Sequence, residues 1–302
     1  MGGRVRTSLC ASLAACLLPA VPAPARPGAA GPAPVVVVVL ENHGYGQVVG
    51  NADAPYLNCT GSFAGTGLVC NGKLYTGYRG LFHPSLPNYL AMASGSNDGC
   101  TSDSCTPDSV RRQSLFQQLS GAGLRWNAFQ ESMTVDCERL DDSNDVYVVH
   151  HNPPAYFRPL GDAGLCRAFD VPFAQMNASA LPPFSFVTPN LCHDMHGASG
   201  PDCTQGYPQC SNLICVADAW LSENVPPLLA AGADVLVTFD EPRRSEPATA
   251  RLAAVQVGPG VAAGSTDSRA YDHYSLLRGL EDGFGLACLQ LACSATPLPI
   301  GS

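Results

Sequence analysis

Residues 35–40, VVVVVL, constrain the fold more than any other stretch of the chain. Five consecutive β-branched side chains are stiff at χ1 and favour extended backbone over helix. The run does not alternate with polar residues, so both faces of the strand need cover. Shorter runs of the same kind recur at 184–187 (FSFV), 234–239 (DVLVTF) and 253–257 (AAVQV). Helical patterns lie between and around them, at 87–95, 109–123, 214–232 and 274–285. Buried strands alternating with helices predict an α/β fold with a mostly parallel central sheet. The stretch from about 130 to 180, rich in Asp, Pro, Asn and aromatic residues, reads as long loops or a cap over the sheet edge.

In open α/β sheets a ligand binds beyond the carboxyl ends of the strands. Strand 35–40 runs directly into Glu41 and Asn42. Strand 184–187 leads to TPNLCHDMHG, with His193, Asp194 and His196. Strand 234–239 ends in Asp240 and Glu241. If the strands are parallel, these acids, amide and imidazoles share one edge. The segment HPSLPNYLAMASG, 83–95, sets Ser85 between two prolines and ahead of an apolar helical run. Prolines fix φ and hold the preceding residue extended, so Ser85 is delivered rigidly to a helix N-terminus, where unpaired N–H groups favour an anion. Taken alone, Ser85 also reads as an ordinary N-cap.

Together these are the parts of a phosphoryl-transfer site. A divalent metal held by Glu41, Asn42, Asp240 and Glu241, with Asp194 close by, would lower the pKa of the Ser85 hydroxyl and neutralise a phosphate oxygen. Asn88 would give its amide to another phosphate oxygen. His196 and His83 would stabilise developing charge or protonate the leaving group. An all-oxygen ligand set favours Ca²⁺, Mg²⁺ or Mn²⁺ over Zn²⁺. The i, i+3 spacing of His193 and His196 fits a local metal pair and a polar loop equally well. His150 and His151 are neighbours that would point apart, and they read as loop residues. His273, ahead of the last helix, either caps that helix or faces the site.

Arg4 and Arg6, an apolar stretch and the small residues at 23–25 form the pattern of a secretory signal peptide over 1–25, followed by a Pro/Gly/Ala linker over 26–34 and one domain over 35–302. The apolar stretch is short for a membrane span. Removing 1–25 takes two arginines and no acid. It leaves 14 basic against 25 acidic residues, a balance of −11. Such a surface argues against nucleic acid as a partner. It admits a small phosphate ester or a lipid headgroup where a metal supplies local positive charge. Twelve of the 14 cysteines lie beyond residue 25. They fall in close pairs, 59/70, 100/105, 137/166, 192/203, 210/215 and 288/293, and an exported chain favours disulfides over a zinc ribbon.

The ordered set VVVVVLENHGYGQVVGNADAPYLN, HPSLPNYLAMASG, PNLCHDMHG, DAWL, LVTFDE and YDHYSLLRGLED resembles the secreted phosphoesterase family of the alkaline-phosphatase superfamily, which includes acid phosphatases and phospholipases C. The resemblance runs from about Val35 to Leu286. It implies a three-layer α/β/α domain and a hydroxyl nucleophile at Ser85. It also implies a metal on Glu41, Asn42, Asp240 and Glu241, and a phosphoryl-directed role for His196. The chain departs from the phospholipase C branch after Glu241. PRRSEPATA replaces a Gly-rich aromatic stretch, and the Asp-His of YDH comes some 30 residues later. Position 89 is Tyr, where the sulfatase pattern of this superfamily puts Arg. The resemblance therefore implies a secreted phosphomonoesterase, some relatives of which act on phosphoinositides. A phospholipase C-type phosphodiesterase is the rival enzyme, and a non-catalytic disulfide-stapled binding protein is the rival of another class.

Overall fold

The computed structural model describes residues 1–3, 33–144 and 146–301. The expected leader beyond its first three residues, and the linker up to residue 32, lie outside the described residues. Eight strands are described: β1 (Val35–Leu40), β2 (Lys73–Tyr75), β3 (Trp126–Gln130), β4 (Asp170–Pro172), β5 (Phe184–Thr188), β6 (Asp234–Phe239), β7 (Ala254–Val257) and β8 (Ser265–Asp267). They form one sheet in the order β4-β3-β5-β1-β6-β7-β2-β8. Every side chain of β1 is buried, as its unbroken β-branched run demands. Its neighbours β5 and β6 both run parallel to it, Val38 pairing with Val187 on one side and Leu40 with Phe239 on the other. Helices α1 (Ser85–Ser94), α2 (Leu115–Gly121), α3 (Leu213–Ala230) and α4 (His273–Gly283) correspond to the four expected helical patterns.

Two expectations change. The run at 253–257 becomes β7, which pairs antiparallel with β6. The connection over 240–253 contains no helix, and without a long crossover the chain returns antiparallel. The stretch 130–180 is only partly a cap. Its β4 extends the parallel edge beside β3, but three residues are too few to read as a strand. The six cysteine pairs are disulfide-bonded in the order expected. Cys137–Cys166, spanning a separation of 29 residues, closes the largest loop, and such a crosslink contributes roughly 2–4 kcal/mol.

Two buried polar fasteners hold the loops around β1. Asp218 on α3 accepts the backbone N–H groups of Tyr56 and Leu57 at 2.7 and 2.8 Å, which ties the segment following β1 to α3. The second fastener lies under residues 147–152. Gln130 donates to Asn152 at 3.1 Å, and Asn152 donates to Asp170 at 2.9 Å and to the Tyr147 hydroxyl at 3.0 Å. Thr188, at the end of β5, holds the His151 carbonyl at 3.2 Å. The ends of β3 and β5 therefore set the position of His151.

Burial pushes the Asp170 carboxyl up to about 8, against the hydrogen bonds from Asn152 and Gln130. A carboxyl raised in the folded state is a growing cost above its unfolded value. Between about pH 4 and pH 8 the folded chain keeps a proton the unfolded chain has lost, so stability falls by ~1.4 kcal/mol per pH unit. Asp170→Asn removes that titration. Its stability relative to the parent should therefore rise steadily from pH 5 to pH 8 in urea unfolding with the disulfides intact. A difference that stays flat across this range would show that Asp170 is not protonated in the fold.

Candidate active site

The register of β1 on β6 carries past the strands: the Asp240 N–H donates to the Leu40 carbonyl at 2.9 Å. Glu41 and Asp240 thus leave the sheet side by side. The Glu41 N–H donates to the Asp194 carbonyl at 2.8 Å, which brings the loop after β5 onto the same point. Asn42 turns through the left-handed region at φ 54°, which Asn tolerates better than most residues. That turn aims its backbone N–H at Asp240 Oδ1, 3.1 Å away.

Ser85 opens α1, whose N-cap is Pro84, so the N-cap reading of Ser85 does not hold. Its hydroxyl instead donates to Glu41 Oε2 at 3.0 Å. The Tyr89 hydroxyl, one turn further along α1, donates to Glu41 Oε1 at 2.6 Å, which leaves Oε2 facing Ser85. The helix N-terminus already holds an anion of the protein's own: Leu86 N–H donates to Asp103 Oδ1 at 2.9 Å. A cavity of about 290 Å³ opens over Ser85, lined also by Asn42, His83, Asp103, His196, Glu241 and two arginines, Arg243 and Arg244. A larger surface groove of about 820 Å³, around residues 134–140 with Arg167 and Gln175, contains no buried acid, and its one hydroxyl, Thr134, donates to Glu138 at the surface. The smaller cavity, with Ser85 and Glu241 in its wall, is therefore the candidate active site.

Glu41, Asp194 and Asp240 have no access to solvent, and Glu241 has almost none. Burial raises all four carboxyls well above the carboxylate range. For Glu41 the charges of Asp240 and Asp194 add to it, and for Asp240 the charge of Glu241. Glu241 is pushed up to about 8 by burial and then by Asp103. Buried acids at this density need protons or a cation between them. Asp194 Oδ2 and Asp240 Oδ2 are buried without a hydrogen-bond partner. Two bare, hard oxygen atoms among crowded acids match the donor chemistry of a divalent cation. Elsewhere among the described residues, Cys137, Cys166 and Asp170 bring donor atoms within 4.8 Å of one another, but the two sulfurs are joined in a disulfide.

The histidines and Asn88 do not all fall where the motifs put them. His196 is exposed on the cavity wall, and Asp194 Oδ1 holds its backbone N–H at 2.7 Å. His83 also lines the cavity, but its two ring nitrogens are engaged by Glu241 Oε2 at 2.5 Å and the Glu246 carbonyl at 3.0 Å. It braces Glu241 and has no nitrogen free for a substrate. His193 pairs with Glu131 at 2.9 Å and stacks on Trp220, away from the cavity wall. His273 is buried, which lowers its pKa to about 4 and keeps the ring neutral. Nε2 donates to the Asp240 carbonyl at 2.5 Å and Nδ1 accepts from the Tyr78 hydroxyl at 2.9 Å. It positions Asp240 from behind and does not reach a substrate. Asn88 is fully buried. Its amide donates to the Phe82 and Pro84 carbonyls at 3.0 and 3.2 Å, while Oδ1 accepts from the Leu81 and Phe82 N–H groups at 3.3 and 3.0 Å. No donor is left for a phosphate oxygen; Asn88 shapes the turn that presents Ser85.

His151 belongs to the site although it reads as a loop residue in the sequence. Nε2 lies 3.3 Å from Glu41 Oε1 and Nδ1 lies 3.5 Å from Asp194 Oδ2. Its ring stacks on Tyr89. Burial, with the charges of His150 and His196, holds it well below the usual imidazole range, so it stands neutral.

Residues 66–287 match the model of the Phosphoesterase family, more than half of the chain. Over 304 residues the sequence is 30% identical to a phosphatidylinositol-3-phosphatase of Mycobacterium tuberculosis, covering 96% of this chain and 90% of that protein. It is 28% identical over 239 residues to a phosphate-repressible acid phosphatase of Penicillium chrysogenum, covering 74% of this chain but only 54% of the relative. A crystal structure of a protein in the alkaline phosphatase superfamily from Vibrio parahaemolyticus superposes with a TM-score of 0.56. It is 13% identical and covers 85% of this chain and 68% of its own. That last likeness concerns the fold alone.

The four hydrogen bonds of Asn88 predict a structural phenotype. Asn88→Ala should lose about 2–4 kcal/mol of stability in urea unfolding, because it strands buried backbone groups. A variant with the parental midpoint would instead return Asn88 to the substrate.

Proposed function

Since the chain belongs to the phosphoesterase family and is a hydrolase of phosphate ester bonds, we propose that it is a secreted phosphomonoesterase of the acid phosphatase kind, working through a phosphorylated Ser85. The observation that carries this reading is the Ser85 hydroxyl donated to a buried carboxylate, Glu41, at the floor of a cavity. Phosphate esters carried on inositol rings are proposed among its substrates, on the name of the 30%-identical relative.

Glu41, Asn42, Asp194, Asp240 and Glu241 would hold the divalent cation. When bound, it would offset their crowded charge, favour the serine alkoxide and polarise the phosphoryl oxygens. Glu41 Oε2 accepts the Ser85 proton as Oγ attacks phosphorus. The bond from phosphorus to the substrate alcohol breaks, and His196, at the open side of the cavity, protonates the departing oxygen. Neutral His196 then takes a proton from water as it attacks the phosphoserine; the bond from phosphorus to Oγ breaks, Glu41 returns its proton to Oγ to restore the Ser85 hydroxyl, and inorganic phosphate is freed. Tyr89 and His151 hold Glu41 in place. His83 and His273 do the same for Glu241 and Asp240. The all-oxygen donor set of Glu41, Asn42, Asp194, Asp240 and Glu241 supports Ca²⁺, Mg²⁺ or Mn²⁺ over Zn²⁺. Phosphatases among the relatives favour monoesters over the phospholipase C-type diester reading.

Ser85→Ala should lower kcat on p-nitrophenyl phosphate by at least ~10³-fold. It should also abolish the acid-stable phosphoserine trapped when the parent is quenched during turnover. Dialysis against chelator should reduce parental activity, and Ca²⁺, Mg²⁺ or Mn²⁺ should restore it. Full turnover by Ser85→Ala would overturn the nucleophile, and full turnover after metal removal would overturn the metal. Tyr89→Phe keeps the ring stack and loses one hydrogen bond to Glu41. We expect about tenfold lower kcat with little change in KM, the equivalent of ~1.4 kcal/mol. A change confined to KM would place Tyr89 in substrate binding instead.

A further inference from the structure

We propose that Arg243 and Arg244 form a second anion subsite, which selects phosphate monoesters whose alcohol carries another phosphate. The proposal rests on the phosphomonoesterase reading and names its substrate class. Both side chains are exposed, and both residues line the cavity that contains Ser85. In a chain of net charge −9, two adjacent arginines at the mouth of an acid-lined cavity are a local inversion of sign. No ion pair links either of them to an acid among the described residues. The acids sharing the cavity have other partners: Glu241 Oε2 is held by His83, and Asp103 Oδ1 by the Leu86 N–H.

Both arginines sit on the segment that directly follows Glu241. Their backbone is fixed at several points. Pro242 precedes them and is buried. The Glu246 N–H donates to the Arg243 carbonyl at 2.7 Å, and His83 holds the Glu246 carbonyl. Further along, Arg79 donates to the Thr249 carbonyl at 3.0 Å. The loop is thus fastened to the wall that presents Ser85. A guanidinium offers a planar fork of N–H donors that matches phosphate oxygens. A monoester with a single phosphate fills the floor of the cavity and leaves these forks to water; a second phosphate on the same ring reaches them.

The test compares glycerophosphoinositol 3-phosphate with inositol 3-phosphate, which lacks the second phosphate. Phosphate release gives kcat/KM for each, and calorimetry on metal-loaded Ser85→Ala gives binding without turnover. The parent should prefer the two-phosphate compound by about tenfold or more, chiefly through KM, and 0.5 M salt should erode that preference. In Arg243→Gln/Arg244→Gln the ratio between the compounds should fall to about one, and Arg243→Lys/Arg244→Lys should keep part of it. The calorimetric preference should disappear with the same glutamine pair. Equal losses on both compounds, or a parent with no preference, would overturn the subsite. Absence of any turnover by the parent would overturn the phosphomonoesterase, while the binding ratio would still decide the arginines.

Discussion

Four carboxyl groups cut off from water at one sheet edge are what the rest of the structure has to accommodate. Each is costly to bury charged, and each makes its neighbours costlier. Their positions are not free to relax, because Glu41 and Asp240 continue paired strands and the Asp194 carbonyl holds the Glu41 N–H. Relief comes from donors brought to them: Tyr89 and Ser85 from α1, the Asn42 N–H from a left-handed turn, and His83 from the preceding loop. Two oxygen atoms remain bare. An edge this unfavourable persists only because the surrounding core over-determines it, which is the usual balance between stability and a working site.

The part of this arrangement carried by backbone pattern was legible in the sequence. A β-branched run without alternation reports two covered faces, and parallel strands put the residues leaving β1, β5 and β6 on one edge of the sheet; that β1 and β6 are neighbours comes from the structure. Close spacing of the cysteines favoured the sequential pairing, with the shortest loops, that the six disulfides follow. β2, β4 and β8 escaped notice because three residues carry no period, and β3, WNAFQ, because polar residues break up its apolar run. The direction of β7 depended on what the connecting segment lacked, and composition reports a missing helix poorly.

Side-chain roles were less legible, for a physical reason. A polar residue in a motif is there either to meet a ligand or to satisfy buried backbone, and residue type does not separate the two. Asn88 suits a phosphate oxygen as well as it suits four backbone partners; only burial decides. His273 and His83 present the same ambiguity, since an imidazole that braces a metal ligand and one that touches substrate have the same one-letter code. His151 was missed for the opposite reason. It sits in an irregular segment with no period, and its place beside Glu41 comes from Gln130, through the neighbouring Asn152, and from Thr188, both distant in sequence. The signal that could have found it was the adjacent pair His150–His151 in a chain with only seven histidines.

Fasteners of this kind also decide where the molecule can vary. Asn88, Asp218, His273 and the 147–152 network each join a loop to a strand end or helix. Changing any of them moves the reacting groups as well as the loop. The floor of the cavity is therefore the least adaptable part of the protein. Its outer wall is different. The segment after Glu241 is tied down through backbone groups, at Arg243, Glu246 and Thr249, and those bonds are indifferent to side-chain identity. Side chains there can change without disturbing the acids beneath. A fold that commits its interior to holding four carboxyls in register leaves substrate discrimination to such a rim, where charge is exchanged at little cost to the core.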